Sequence, residues 1–391
     1  MFPVYWRYYY GILIDMDILT SCLFIGVLVL LIAATVAIRA LRCYVDFGVD
    51  PAILDTFRTR IRAWWLLFGL LAAAFICGPL VTTLFFFILS IVILREYITL
   101  TPKSPADHQT LFWIYVFFTP LQFIMVGINP DWFVSKTGLA PYQFFSILLP
   151  GYVFLILPGS MAASGDPKRF LERTAKLQLG LIICVYSLSY APALLTIDLP
   201  VASPIPEEMP TAAILDHGLE NTVLETLRPQ EEETPELNQT EQSLPAFYHR
   251  ILPMLSGKHF QLLFFFVLVV QLGDVFQYLW SHASRRHVVA PKINSNKTWE
   301  GVLGGAVTTA LLGVSLWYFT PFPKWWQAGL IALIASLMGF AGNMTMSAIK
   351  RDRGVSGYGT LIQGHSGFLD RIDSLCFAAP VFYHLAWLFS R

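Results

Sequence analysis

Ten separate runs of apolar residues, near 18–38, 64–77, 80–94, 111–127, 143–157, 177–197, 260–280, 301–319, 327–346 and 372–389, divide this chain. A helix rises about 1.5 Å per residue, so about 20 apolar residues cross the hydrocarbon layer of a bilayer, and shorter runs are accommodated by local thinning. No water is available there, so each run must satisfy its own backbone polar groups, as a helix does. The expected fold is therefore an all-α polytopic membrane protein with about ten transmembrane helices. Composition bears on one point only: the chain is 55% hydrophobic and 13% charged, against roughly 25% charged residues in a soluble domain. That is too little charge to cover a water-facing surface.

The charges that remain are arranged by side. Lys and Arg in short loops favour the cytosol, and every second loop here is basic. The segments 39–63, 95–110, 158–176, 281–300 and 347–371 hold 19 of the 26 basic residues. This alternation requires runs two and three to be separate helices, with the break at Gly78-Pro79. It places both chain termini outside the cytosol and all five basic loops within it. The first run lacks a basic leading segment and a small-residue cleavage site, so it is expected to stay as a helix. Basic and acidic residues balance at 26 each, which gives no basic field for a nucleic-acid partner. The five cysteines show no CxxC spacing and read as small buried hydrophobes, with neither a disulfide nor a zinc site.

Segment 198–247 carries eleven acidic residues, one basic residue and several prolines. It reads as a flexible extracytoplasmic insertion. The expected organisation is a six-span membrane region over 1–197, the acidic insertion over 198–259 and a four-span catalytic region over 260–391.

Polar residues that membrane burial makes expensive collect in that last region. Asp274 lies inside the run 260–280, where a carboxylate needs a cation, a donor network or a water-filled cavity. A helix-packing hydrogen bond is the plainer use of it. Ala290-Pro-Lys-Ile-Asn-Ser-Asn-Lys-Thr-Trp-Glu-Gly301 leads straight into a span, so Lys297, Thr298 and nearby N–H groups gather at a helix N-terminus, an arrangement that attracts phosphate. It equally suits a lysine reaching the interface beside a tryptophan anchor. The densest stretch runs from Asn343 through Lys350 and Arg351 to His365, Asp370 and Asp373. Asp370 and Asp373 are three apart, which puts both on one helix face with Arg371 turned aside. Two acids there repel unless a cation bridges them, and oxygen ligands suit Mg²⁺, which commonly binds substrate phosphates as well. First-turn acids also complement a helix dipole. Acids for metal, cations for phosphate and glycines for close backbone approach together point to phosphoryl or nucleotidyl transfer.

Ser347-Ala-Ile-Lys-Arg351 followed by Gly364-His-Ser-Gly-Phe-Leu-Asp-Arg-Ile-Asp373 resembles the C-terminal signature of the phosphatidate cytidylyltransferases, and Asn296-Lys-Thr-Trp-Glu-Gly301 resembles their upstream cytosolic motif. The resemblance covers roughly Gln261 to Arg391. It implies an enzyme of phospholipid biosynthesis in a bacterial inner membrane that converts CTP and phosphatidate into CDP-diacylglycerol and pyrophosphate at a cytosol-facing site. It further implies a Mg²⁺ centre at Asp370 and Asp373, aided by Asn343, with a monovalent cation such as K⁺ alongside. Lys350, Arg351, His365 and Arg371 then line the phosphate site, Lys297, Asp274 and Ser347 meet the substrate, and a homodimer fits the pattern. The chain departs from the family at Gly342-Asn343, where Gly-Asp is usual, at Met346 in place of Glu, at Ser356-Gly357 in place of Lys-Asp, at His365-Ser366-Gly367 in place of His-Gly-Gly, and at Asn294-Ser295-Asn296-Lys297 in place of Ser-Pro-Lys-Lys. The amide at Asn343 should weaken metal affinity. The competing expectations are transfer from CTP to another lipid phosphate, phosphorylation of a polyprenol, and a non-catalytic lipid-binding or transport protein on the same scaffold.

Overall fold

The computed structural model describes residues 18–43, 77–99, 107–128, 141–197, 257–284, 286–355 and 367–390, together with 58, 61, 64, 65, 68–74, 133 and 134. The insertion up to residue 256 lies outside the described residues, as does 356–366 with His365, Ser356 and Gly357. The described helices are α1 (Ile18–Cys43), α2 (Pro79–Thr99), α3 (His108–Gly127), α4 (Pro141–Ala163), α5 (Phe170–Thr196), α6 (Gly257–Ala283), α7 (Trp299–Ser315), α8 (Trp325–Asp352) and α9 (Leu369–Phe389). Among the described residues, seven helices are long and apolar enough to cross a membrane: α2 to α6, α8 and α9. Helices α3, α4 and α5 each contain one π turn, at Ile114–Phe118, Leu148–Val153 and Ile182–Ser187. Such a widened turn rotates the face presented by the rest of the helix.

Runs two and three are separate. Residues 68–74 are helical, Gly78 takes φ +100°, and α2 begins at Pro79. Only glycine adopts that backbone at little cost, and proline at the first helical position loses no hydrogen bond.

The loop before α7 folds into a small antiparallel hairpin, β1 (Val288–Ala290) with β2 (Asn294–Thr298), pairing Val288 with Thr298 and Ala290 with Asn294. Thr298 ends the hairpin and caps α7, its hydroxyl accepting from the Gly301 N–H at 3.1 Å. One side chain thus fixes where Lys297 leaves the strand.

Helices α6, α7, α8 and α9 pack in sequence, and α9 also packs against the end of α5. Glycines allow the approach. A Cβ on Gly305 would stand 2.7 Å from the Gln277 backbone nitrogen, and one on Gly342 would stand 2.8 Å from the Asp373 carbonyl oxygen. In lipid, where apolar burial does not drive helices together, such small-residue contacts are what hold them. One apolar core joins the two regions, running from Phe86 and Leu94 through Leu188 and Phe266 to Cys376 and Phe382.

Four of the basic loops meet at one end of the bundle. Arg173 pairs with Asp166 at 2.6 Å and approaches Asp107 at 3.7 Å, Arg353 reaches Glu172 at 3.4 Å, and Arg351 Nε donates to the Ile293 carbonyl at 3.2 Å. The described residues of segments 95–110, 158–176, 281–300 and 347–371 that make these contacts therefore share one face, as the charge alternation requires.

Candidate active site

At that end, α6, α8 and α9 bring three carboxylates into one neighbourhood. Asp274 of α6 accepts from Asn343 Nδ2 of α8 at 2.8 Å on one oxygen and from Ser374 Oγ of α9 at 2.6 Å on the other. The acid at membrane depth is thus held by a donor network spanning three helices. Asn343 also donates to the Gly339 carbonyl at 3.3 Å. Its nitrogen is committed to the protein, so its amide oxygen is the atom suited to a cation.

Asp370, in the first turn of α9, receives Lys350 Nζ at 2.8 Å from the last turn of α8. Asp373 follows one turn later, 4% exposed, with Oδ1 accepting from the Ser374 N–H at 2.8 Å. Asp274, Asp370 and Lys350 all lie close enough to Asp373 to act on its charge. Three ionised acids against one lysine would carry surplus negative charge, which a low-dielectric surrounding tolerates poorly.

Lys297 enters from the hairpin. Its Nζ donates to Gln277 Oε1 at 3.3 Å and lies 5.9 Å from the centre of the Phe340 ring. Gln277 is three residues beyond Asp274 on α6, and Phe340 three residues before Asn343 on α8. The two residues it contacts are thus each about one helical turn, roughly 4.5 Å of axial rise, along their helices from Asp274 and Asn343. Gln277 is itself anchored, donating to the Ser336 carbonyl at 2.9 Å and hydroxyl at 3.1 Å.

The remaining expected residues frame this centre. Asn294 Nδ2 donates to Ser347 Oγ at 3.3 Å, tying the hairpin to α8. The Arg371 carbonyl accepts from Gln271 Nε2 at 3.3 Å, tying α9 to α6. The structure thus assembles Asp274, Lys297, Asn343, Ser347, Lys350, Arg351, Asp370, Arg371 and Asp373 at one end of four helices, while His365 lies outside the described residues. Three residues outside the expected set also belong here: Ser374, Gln277 and Glu96 of α2, whose carboxylate meets the start of α9. Glu96 carried a signal, being an acid two residues past the end of an apolar run. Ser374 and Gln277 carried none, since each matters only through a partner on another helix.

The oxygen donors assembled here are of the kind that Mg²⁺ takes. Among the described residues no three acidic, histidine or cysteine side chains converge closely enough to hold a metal by themselves. Mg²⁺ commonly takes one or two protein carboxylates, with substrate phosphate oxygens completing its shell.

Comparison with known proteins matches residues 58–389 to the group described as the cytidylyltransferase family. The uncharacterised protein YnbB of Escherichia coli K12 is 30% identical over 328 residues, 83% of this chain and 85% of that protein. A phosphatidate cytidylyltransferase of Staphylococcus haemolyticus is 35% identical over 127 residues, 32% of this chain and 48% of that enzyme. One from Brucella abortus is 32% identical over 143 residues, 36% of this chain and 53% of that enzyme. The chain thus aligns with about half the length of these two named enzymes.

Proposed function

This chain belongs to the cytidylyltransferase family, and from that premise we propose that it is a phosphatidate cytidylyltransferase, joining CTP and phosphatidate to give CDP-diacylglycerol and pyrophosphate at the cytosolic face of a bacterial inner membrane. The observation that carries the reading is the grouping of Lys350 with three carboxylates near the end of the bundle where the basic loops meet, with Lys297 bonded to Gln277 three residues beyond Asp274 on α6.

An oxygen of the lipid phosphate attacks the α-phosphorus of CTP, a new P–O bond forms, and the bond to the β-phosphate breaks to release pyrophosphate. The nucleophile is already anionic, so the step needs positioning and charge neutralisation more than a base. Asp370 and Asp373, with the amide oxygen of Asn343, would hold Mg²⁺, which supplies charge neutralisation on the triphosphate. Lys350 and Arg351 offset the charge gathering on the leaving group, Lys297 steadies the phosphates from the hairpin, and Arg371 and His365 line their path. Asp274, held by Asn343 and Ser374, keeps α6, α8 and α9 in register around them.

Incubating purified protein with phosphatidate, Mg²⁺ and CTP labelled at either the α- or the γ-phosphorus tests this. Label from the α position is expected in a lipid migrating as CDP-diacylglycerol. Lipid labelled from the γ position would make the protein a CTP-dependent lipid kinase, and lipid binding with neither label transferred would make it a non-catalytic relative.

A further inference from the structure

Glu96 has no part in the chemistry just described, yet it is 2% exposed and both its oxygens point at α9. The Phe368 N–H donates to Oε1 at 3.1 Å and the Leu369 N–H to Oε2 at 2.8 Å. The first N–H groups of any helix lack partners within it. Here Phe368 is the N-cap residue and provides no side-chain cap. A glutamate more than 270 residues earlier in the chain supplies what the local sequence does not. The next residue is Asp370, near enough for the two carboxylates to interact. An acid held against like charge inside an apolar bundle is a costly arrangement. The two N–H groups and the positive end of the α9 dipole are what offset that cost.

We propose that Glu96 is a positioning residue. It clamps the first turn of α9 from the N-terminal region, fixing the register in which Asp370 meets Lys350 and Asp373 faces Asp274. The inference rests on the reading of those acids as a Mg²⁺–CTP site. Glu96 touches neither ion nor nucleotide; it acts through the backbone that carries both aspartates. Glutamine in its place presents one acceptor and one donor to two N–H groups, so one of the two hydrogen bonds must go.

The test uses the full-length protein in detergent, comparing wild type, Glu96→Gln, Glu96→Asp and Ser90→Ala. Ser90 lies on the same helix and donates to the Cys184 carbonyl of α5 at 2.8 Å, not to the first turn of α9, so its variant reports the loss of a buried hydrogen bond that does not hold that turn. Binding of labelled CTP is measured by equilibrium dialysis across a Mg²⁺ series, and turnover is measured in parallel. Glu96→Gln is expected to raise the Mg²⁺ concentration at half-maximal CTP binding by about 10–100-fold, the range seen when groups supporting metal ligands are removed, with Ser90→Ala at the wild-type value. Wild-type Mg²⁺ dependence in a Glu96→Gln protein that elutes at wild-type size overturns the proposal. If that variant does not fold, Glu96→Asp, one methylene shorter, decides: a several-fold rise supports the clamp and an unchanged value overturns it. Wild-type protein that binds Mg²⁺–CTP but transfers no label refutes the transfer reading and leaves the clamp to be judged on binding. Wild-type protein that binds no Mg²⁺–CTP refutes both.

Discussion

A carboxylate at the centre of a membrane helix costs about 2.5–3.5 kcal/mol on insertion scales, and α6 and α9 carry three within interacting distance. Each is held by specific donors: Asp274 by Asn343 and Ser374, Asp370 by Lys350, and Asp373 by the Ser374 N–H. Two substitutions test the arrangement. Asp373→Asn preserves shape and removes charge, and is expected to reduce CTP-dependent lipid product in membranes to background at normal protein levels; unchanged turnover would remove Asp373 from the site. Asn343→Asp replaces a donor to Asp274 with a second acid. The protein should lose about 1–3 kcal/mol, the scale of a lost hydrogen bond to a charged group. Heating in EDTA followed by size exclusion should expose this deficit, and Mg²⁺ should reverse it. Spacing along the chain made Asp370, Asp373, Lys350 and Lys297 legible, because acids and cations are conspicuous among apolar runs. Ser374 stayed hidden because a serine in an apolar helix ordinarily bonds its own preceding turn, and its partner lies a hundred residues away.

Helices place these side chains only as accurately as they pack. The α8–α9 contact depends on Gly342, where any Cβ would press on the Asp373 carbonyl and the Phe377 ring, at 2.8 and 2.9 Å. Backbone cannot yield as a side-chain tip can, so Gly342→Ala should push α9 outward. A cost of about 1–3 kcal/mol is expected, as for other overpacked interiors. Loss of CTP turnover should exceed what the fall in thermal stability explains, since Asp373 moves with the displaced backbone. Comparing Gly342→Ala with Gly159→Ala, a helical glycine with nothing within 4 Å of an added Cβ, separates a packing effect from a propensity effect. The hairpin before α7 is the element that the sequence concealed. Its strands are three and five residues long, and one of them is almost wholly polar, so no period-two apolar pattern announces it.

Across the whole molecule, Glu96 and the Glu172–Arg353 pair connect the N-terminal helices to the segments around α8 and α9. The halves separated by the acidic insertion therefore form one body around a common core. The charge alternation predicts where the chain ends: alkaline phosphatase fused after Arg391 should be active and a fluorescent protein fused there should be dark, because both report an extracytoplasmic C-terminus. The opposite pattern would invert the topology. That the chain is a polytopic helical protein followed from its sequence alone, since apolar length and loop charge are local quantities that the bilayer reads directly. The break at Gly78-Pro79 was legible for the same reason, glycine and proline being local constraints on the backbone. Which acids face which donors, how Lys297 comes to meet Gln277, and that a glutamate of α2 caps α9 were settled only by tertiary packing. Those contacts join residues tens to hundreds of positions apart, and their geometry depends on how closely glycine-lined helices approach, a property of pairs of elements that no single stretch of chain contains.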